Sequence, residues 1–259
     1  MSSSNFLHYE DRAAIIDRKR VPLVLIHAFP VGPEMWNDVV ELLAGRNLVV
    51  DLPGFGNTPI PQGAPSLDDA ADALAATLDE AKIDKAVIAG LSMGGYVALS
   101  FLERHRERVA GLALLDTNMS ADSSEKKEQR AQLAAQVREA GTSALSVEGL
   151  LGNTTTQTQP LVVANVEQLV REANPEGVVW ALEAMAARPE RTYVAREAGV
   201  PILLAAGDED EMSPISVLRD PLLEVDDVSV VTIAGAGHLS AMEKPQEVAE
   251  ALDDLVSRA

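Results

Sequence analysis

A serine set between glycines, Gly90-Leu91-Ser92-Met93-Gly94-Gly95, follows directly on the apolar run 86–89 and precedes a helical pattern that starts at Tyr96. In a strand–turn–helix context this G-x-S-x-G spacing has a steric meaning. The turn is so sharp that the residues two before and two after the serine have no room for side chains, and glycine is required at both places. Such a turn pushes the Ser92 hydroxyl into the open. It also aims the amide N–H of Met93, at the start of the next helix, toward any oxyanion formed nearby.

A serine hydroxyl becomes a useful nucleophile only beside a base. The chain has four histidines, His8, His27, His105 and His238. His8 falls in the N-terminal stretch, His105 lies between two arginines at a helix end, and His27 ends an apolar strand-like run. His238 follows Ala234-Gly235-Ala236-Gly237, a loop just after the last strand-like segment. Loops at the carboxyl ends of parallel strands form the ligand crevice of α/β folds, which makes His238 the candidate base. The base needs an acid to orient it. Gly207-Asp208-Glu209-Asp210-Glu211-Met212-Ser213-Pro214 follows another strand-like run, and the order serine, acid, histidine suits this fold. Spacing alone does not choose among these four acids, and Asp116, after the run 109–115, is a further candidate.

The elements that must position these groups are legible as short continuous apolar runs. Runs at 21–27, 48–50, 86–91, 109–115, 202–206 and 228–233 have strand length. Helical periodicity covers 34–43, 67–78, 96–103 and 248–256, with Ser66 as an N-cap and Asp69 at the third helical position. Buried strands alternating with helices define a doubly wound, mostly parallel α/β sheet. Residues 5–17 read as the start of an antiparallel hairpin. Residues 119–192 break the alternation, with helical stretches at 124–139, 160–172 and 175–187, and 153–159 reads as a loop. This block is expected to form a helical cap (119–192) on a core of 1–118 and 193–259.

The composition narrows the partners. A net charge of -19 disfavours nucleic-acid phosphates and anionic membrane surfaces. The absence of cysteine excludes disulfides, thiolate catalysis and cysteine-based zinc sites, and leans toward a reducing, cytoplasmic setting. The first twelve residues lack a basic start followed by an apolar core, so no secretory signal is expected. A small-molecule substrate is the expected partner, with a homodimer left open.

Together these stretches resemble the α/β-hydrolase family over nearly the whole chain. Leu25-Ile26-His27-Ala28-Phe29-Pro30 resembles the family's H-G-F-P oxyanion loop, and Asp51-Leu52-Pro53-Gly54-Phe55-Gly56 its D-x-P-G-x-G loop. Gly207–Pro214 resembles the G-x-x-D-x-x-x-P stretch, and 235–238 the G-x-G-H stretch. The resemblance implies a catalytic set of Ser92, Asp210 and His238, oxyanion donors at the backbone of Phe29 and Met93, and no cofactor or metal. It implies that His27 braces its loop. Ala28 stands where the family commonly has glycine, and at positive φ an alanine would cost roughly 1 kcal/mol. Small esterases, enol-lactone hydrolases and cofactor-free haloperoxidase-like perhydrolases are the nearest kinds, so a small carboxylic ester or lactone is the expected substrate. C–C bond hydrolysis, and a receptor or scaffold role on the same fold, are the alternatives. His27, Met119, Trp180 and Met185, with Phe29 and Met93, are expected to line the pocket.

Overall fold

Strands of four to seven residues without a polar face must lie between two layers, and the computed structural model shows them doing so. It describes residues 6–13 and 20–259. Seven strands form one sheet: β1 (Tyr9–Ala13), β2 (Leu23–Ile26), β3 (Arg46–Val50), β4 (Ala86–Leu91), β5 (Val109–Leu115), β6 (Ile202–Gly207) and β7 (Val228–Ile233). Their order is β1-β3-β2-β4-β5-β6-β7, with β1 antiparallel to β3 and every other pair parallel. Residues along β2 alternate between two apolar clusters, Val24 and Ile26 to one face and Leu23 and Leu25 to the other.

Helices cover both faces. α1 (Asn37–Leu42) and α11 (Pro245–Arg258) pack together on one, α2 (Leu67–Glu80) and α3 (Met93–Arg104) on the other. Ser66 caps α2 by accepting the Asp69 N–H at 3.1 Å. The register levels the strand ends: Gly90 pairs with both Ile26 and Leu114, and Leu115 with Ala205. The loops that follow β2, β4, β5 and β6 therefore emerge side by side.

Between β5 and β6 run α4 (Ser124–Ala140), α5 (Asn153–Thr158), α6 (Pro160–Glu172), α7 (Pro175–Ala187) and α8 (Thr192–Arg196), with α4 packed on α7. The remaining helices are α9 (Ile215–Arg219) and α10 (Ser240–Glu243). Among the described residues no helix is long and apolar enough to cross a membrane.

Several local expectations need correction. Within the stretch 5–17, expected to start an antiparallel hairpin, β1 runs antiparallel to β3, Tyr9 beside Val50, and residues 5 and 14–17 lie outside the described residues. The helix expected at 34–43 is divided into a 3-10 turn at Pro33–Trp36 and then α1. Residues 153–158 are helical although threonine is a poor helix former. A tertiary contact offsets the propensity: the Glu209 carboxylate accepts both the Thr154 N–H, at 2.8 Å, and its hydroxyl.

Candidate active site

The turn at Ser92 has the backbone strain its neighbours imply. Ser92 sits at φ 52° and ψ -111°. A Cβ on Gly90 would lie 2.1 Å from the Gly94 carbonyl oxygen, and one on Gly94 2.2 Å from that of Ile26. Two bonds hold the turn in place: the Ser92 N–H donates to Leu115 O at 2.9 Å, and the Thr117 hydroxyl donates to Ser92 O at 2.7 Å. Met93 is the first residue of α3, earlier than the start at Tyr96 read from periodicity. Neither its N–H nor that of Phe29 has a hydrogen-bond partner among the described residues. Ala28 is not among the residues with positive φ, so its methyl group carries no left-handed strain.

Ser92, His238 and Asp210 form one hydrogen-bonded chain. His238 Nε2 lies 2.8 Å from Ser92 Oγ, and Nδ1 lies 2.9 Å from Asp210 Oδ2. Both His238 and Asp210 are buried. The other oxygen, Asp210 Oδ1, accepts the N–H groups of Met212 and Ser213 at 2.8 and 3.0 Å. A carboxylate so filled fixes the imidazole with its proton on Nδ1 and leaves Nε2 to accept from the serine hydroxyl.

The neighbouring acids take other partners. Asp208 accepts the Gly235 N–H at 2.7 Å, Glu209 holds Thr154, and Glu211 is exposed. Asp116 is fully buried; it accepts the Gly207 N–H at 2.9 Å and the Ser240 hydroxyl. Burial pushes its carboxyl well above the usual range, against the pull of the Ser240 hydrogen bond. It braces the end of β6 instead of touching His238.

A cavity of about 680 Å³ opens over this chain, within the range of small-molecule sites. Phe29, Ser92, Met185 and His238 line it, as does much of one side of α4. The expected walls are only partly right. His27 is fully buried behind the loop: Nδ1 lies 2.9 Å from Ala28 O, and Nε2 accepts the Leu52 N–H at 3.0 Å. Burial lowers its pKa to about 4, against the opposing hydrogen bond to Ala28, so it is neutral at pH 7. Met119 is buried in the core and does not line the cavity; its backbone is held by Met119 O accepting the Arg191 N–H at 2.8 Å. Trp180 lines a separate cavity of about 540 Å³ beside Ile60 and Pro175.

Several groups at the site escaped the sequence reading. Glu243, buried five residues after His238, accepts the Gly237 N–H at 2.9 Å and the Gly152 N–H at 2.8 Å. It ties the His238 loop to the start of α5. Asp122, Arg130 and buried Arg188 form a partly buried ion cluster in the cavity wall, with Arg130 Nε and Arg188 Nη1 on opposite oxygens of Asp122. Burial works to raise the Asp122 carboxyl, but hydrogen bonds and charge from Arg130 and Arg188 outweigh it and hold the group ionised. Of these only Arg130 lies on α4, and its part in the wall follows from how α4 sits over Ser92, which no local pattern in the sequence gives.

The sheet order, the strained serine turn and the serine–histidine–aspartate chain define a class, the hydrolases built on this sheet. A family model described as "Alpha/beta hydrolase family" matches residues 23–251, and the chain belongs to that family. Among curated relatives, a pimeloyl-acyl-carrier-protein methyl ester esterase of Aromatoleum aromaticum is 27% identical, covering 92% of this chain and 98% of its own. The 3-oxoadipate enol-lactonase 2 of Acinetobacter baylyi is 24% identical over 92% of this chain and 90% of its own. Among solved structures, a thermophilic esterase from Thermogutta terrifontis, with malate bound, is 34% identical with a TM-score of 0.89, covering 97% of this chain and 93% of its own. These relatives are hydrolases, and the chain is an enzyme of that class.

Proposed function

We propose that the protein is a serine hydrolase that cleaves a small carboxylic ester or lactone through an acyl-enzyme, with residues 119–192 as the cap over its site. One observation carries the reading: Ser92 Oγ, His238 and Asp210 are joined by hydrogen bonds of 2.8 and 2.9 Å at the wall of an accessible cavity. Ser92 Oγ attacks the carbonyl carbon as its proton passes to His238 Nε2. Asp210 holds the imidazole in the productive tautomer and stabilises the imidazolium. The N–H groups of Phe29 and Met93, both without a hydrogen-bond partner among the described residues, receive the oxyanion, a contribution of about 3 kcal/mol for each donor. The carbonyl re-forms and the alkoxide leaves with the proton from Nε2. Water, deprotonated by the same nitrogen, then attacks the acyl carbon and releases the acid and Ser92. The esterase and enol-lactonase names of the relatives support esters and lactones as the first substrates to try.

Kinetics of Ser92→Ala on short-chain esters and lactones test this. A fall in kcat of on the order of 10³-fold or more, with the thermal unfolding midpoint preserved, is expected. Near-normal turnover by the variant would overturn the assignment. Turnover negligible even in the wild type, combined with tight ligand binding, would favour a receptor on this fold.

A further inference from the structure

The chain as a whole carries a net charge of -19, yet the wall of the Ser92 cavity holds three cationic side chains, Lys126, Arg130 and Arg188, against two carboxylates, Asp122 and Glu148. The excess is concentrated in a built feature. Arg188 is 6% exposed. Its Nη1 donates to Met185 O at 2.9 Å and pairs with Asp122 Oδ1 at 2.8 Å. Its guanidinium lies 3.8 Å over the Tyr96 ring, which fixes the plane of the group. The opposite edge is unspent. Among the described residues, buried Nε has no hydrogen-bond partner and Nη2 makes no bond.

An orphaned donor in a buried cation is costly, and Nε with Nη2 is the fork that matches the two oxygens of a carboxylate. Asp122 does not neutralise the fork, because the same carboxylate also serves Arg130. The location is informative too. Tyr96, beneath the guanidinium, lies one helical turn after Ser92, and Ser92, Tyr96 and Arg188 line the same cavity.

We infer that Arg188 is the anion-recognising residue of this site, and that the substrate is an ester or lactone bearing a free carboxylate. This rests on the hydrolase reading for the words ester and lactone, but the carboxylate subsite stands on the Arg188 geometry alone. The guanidinium binds and orients the substrate; it takes no part in proton transfer.

The test compares monomethyl glutarate with its neutral primary-amide analogue, in wild type, Arg188→Gln and Arg188→Lys, with thermal unfolding as the check on folding. In wild type the anionic ester should have a kcat/KM at least tenfold higher, expressed mainly in KM. That ratio should collapse toward one in Arg188→Gln and recover partly in Arg188→Lys, which restores charge without the fork. A merely structural role would lower both substrates together and leave the ratio unchanged, overturning the inference. Calorimetric binding of glutarate to Ser92→Ala supplies an arm independent of turnover and of any folding defect at position 188. Saturable binding well above that of glutaramide supports the subsite even if no ester is cleaved, which would sink only the hydrolase reading. Equal or undetectable binding of the two sinks the subsite even if esters are cleaved.

Discussion

The loops at the carboxyl ends of the strands and the helices inserted between β5 and β6 meet across one cavity, and their charged side chains are satisfied differently. On the sheet side the carboxylates are saturated. Asp210 has one oxygen on His238 and the other on two backbone N–H groups, and Glu243 divides its two oxygens between Gly237 and Gly152. On the helical side, Arg188 retains an unused edge and shares its one carboxylate with Arg130. Saturation fixes geometry before any substrate arrives, which the chemical step needs. Unspent donors need a ligand to complete them, which suits recognition.

Substitutions sharpen this contrast, beginning on the saturated side. Asp210→Asn keeps the shape but would place an amide opposite Nδ1 or force the wrong tautomer of His238. A loss of kcat of on the order of 10⁴-fold is expected, with KM little changed. Steady-state kinetics check it, and a loss below tenfold would mean that the imidazole is oriented by something else.

His27 tests whether the buried polar frame is paid for in pH dependence. Its pKa is lowered from 6.5 to about 4, so between these values the unfolded chain binds a proton that the folded chain refuses. Its contribution to stability is therefore complete above pH 6.5 and lost as pH falls toward 4, by up to about 3 kcal/mol. Denaturant unfolding of His27→Gln across that window should show a shallower loss than wild type. Parallel curves would contradict the neutral, buried imidazole.

The smallest effect is expected at the joint between the two regions. Both Glu243 oxygens accept N–H groups, so Glu243→Gln turns an NH₂ toward one of them and leaves a buried donor unmet, at about 1–3 kcal/mol. A drop in the unfolding midpoint of several degrees should accompany a loss in kcat, because Gly237 adjoins His238. Lower stability with full kcat would mean that Glu243 only holds α5.

The same contrast explains what the sequence made legible. The sheet strands are continuous apolar runs, and the glycines around Ser92 are demanded by contacts near 2 Å with backbone oxygens, so type and spacing alone point to them. Choosing Asp210 over Asp208, Glu209, Glu211 and Asp116 needed the family resemblance, because all five lie near strand ends and only the hydrogen bonds separate them. The cavity wall was misread. Trp180 and Met119 are expected to line it and do not, whereas Lys126 and Arg130, which do line it, carry no signal in the sequence that singles them out. Which side of α4 faces Ser92 depends on how α4 packs on α7, and no local pattern encodes that. Residues 153–158 looked like a loop for a similar reason, since Glu209 lies more than fifty residues away in the chain.

Activation of Ser92 is most directly read by intact-protein mass spectrometry after a fluorophosphonate probe, with Ser92→Ala in parallel. A single covalent adduct on the wild type, absent from the variant, is the expected result. A folded wild-type protein that takes no adduct, or a variant labelled as fully as the wild type, would contradict a nucleophile at Ser92.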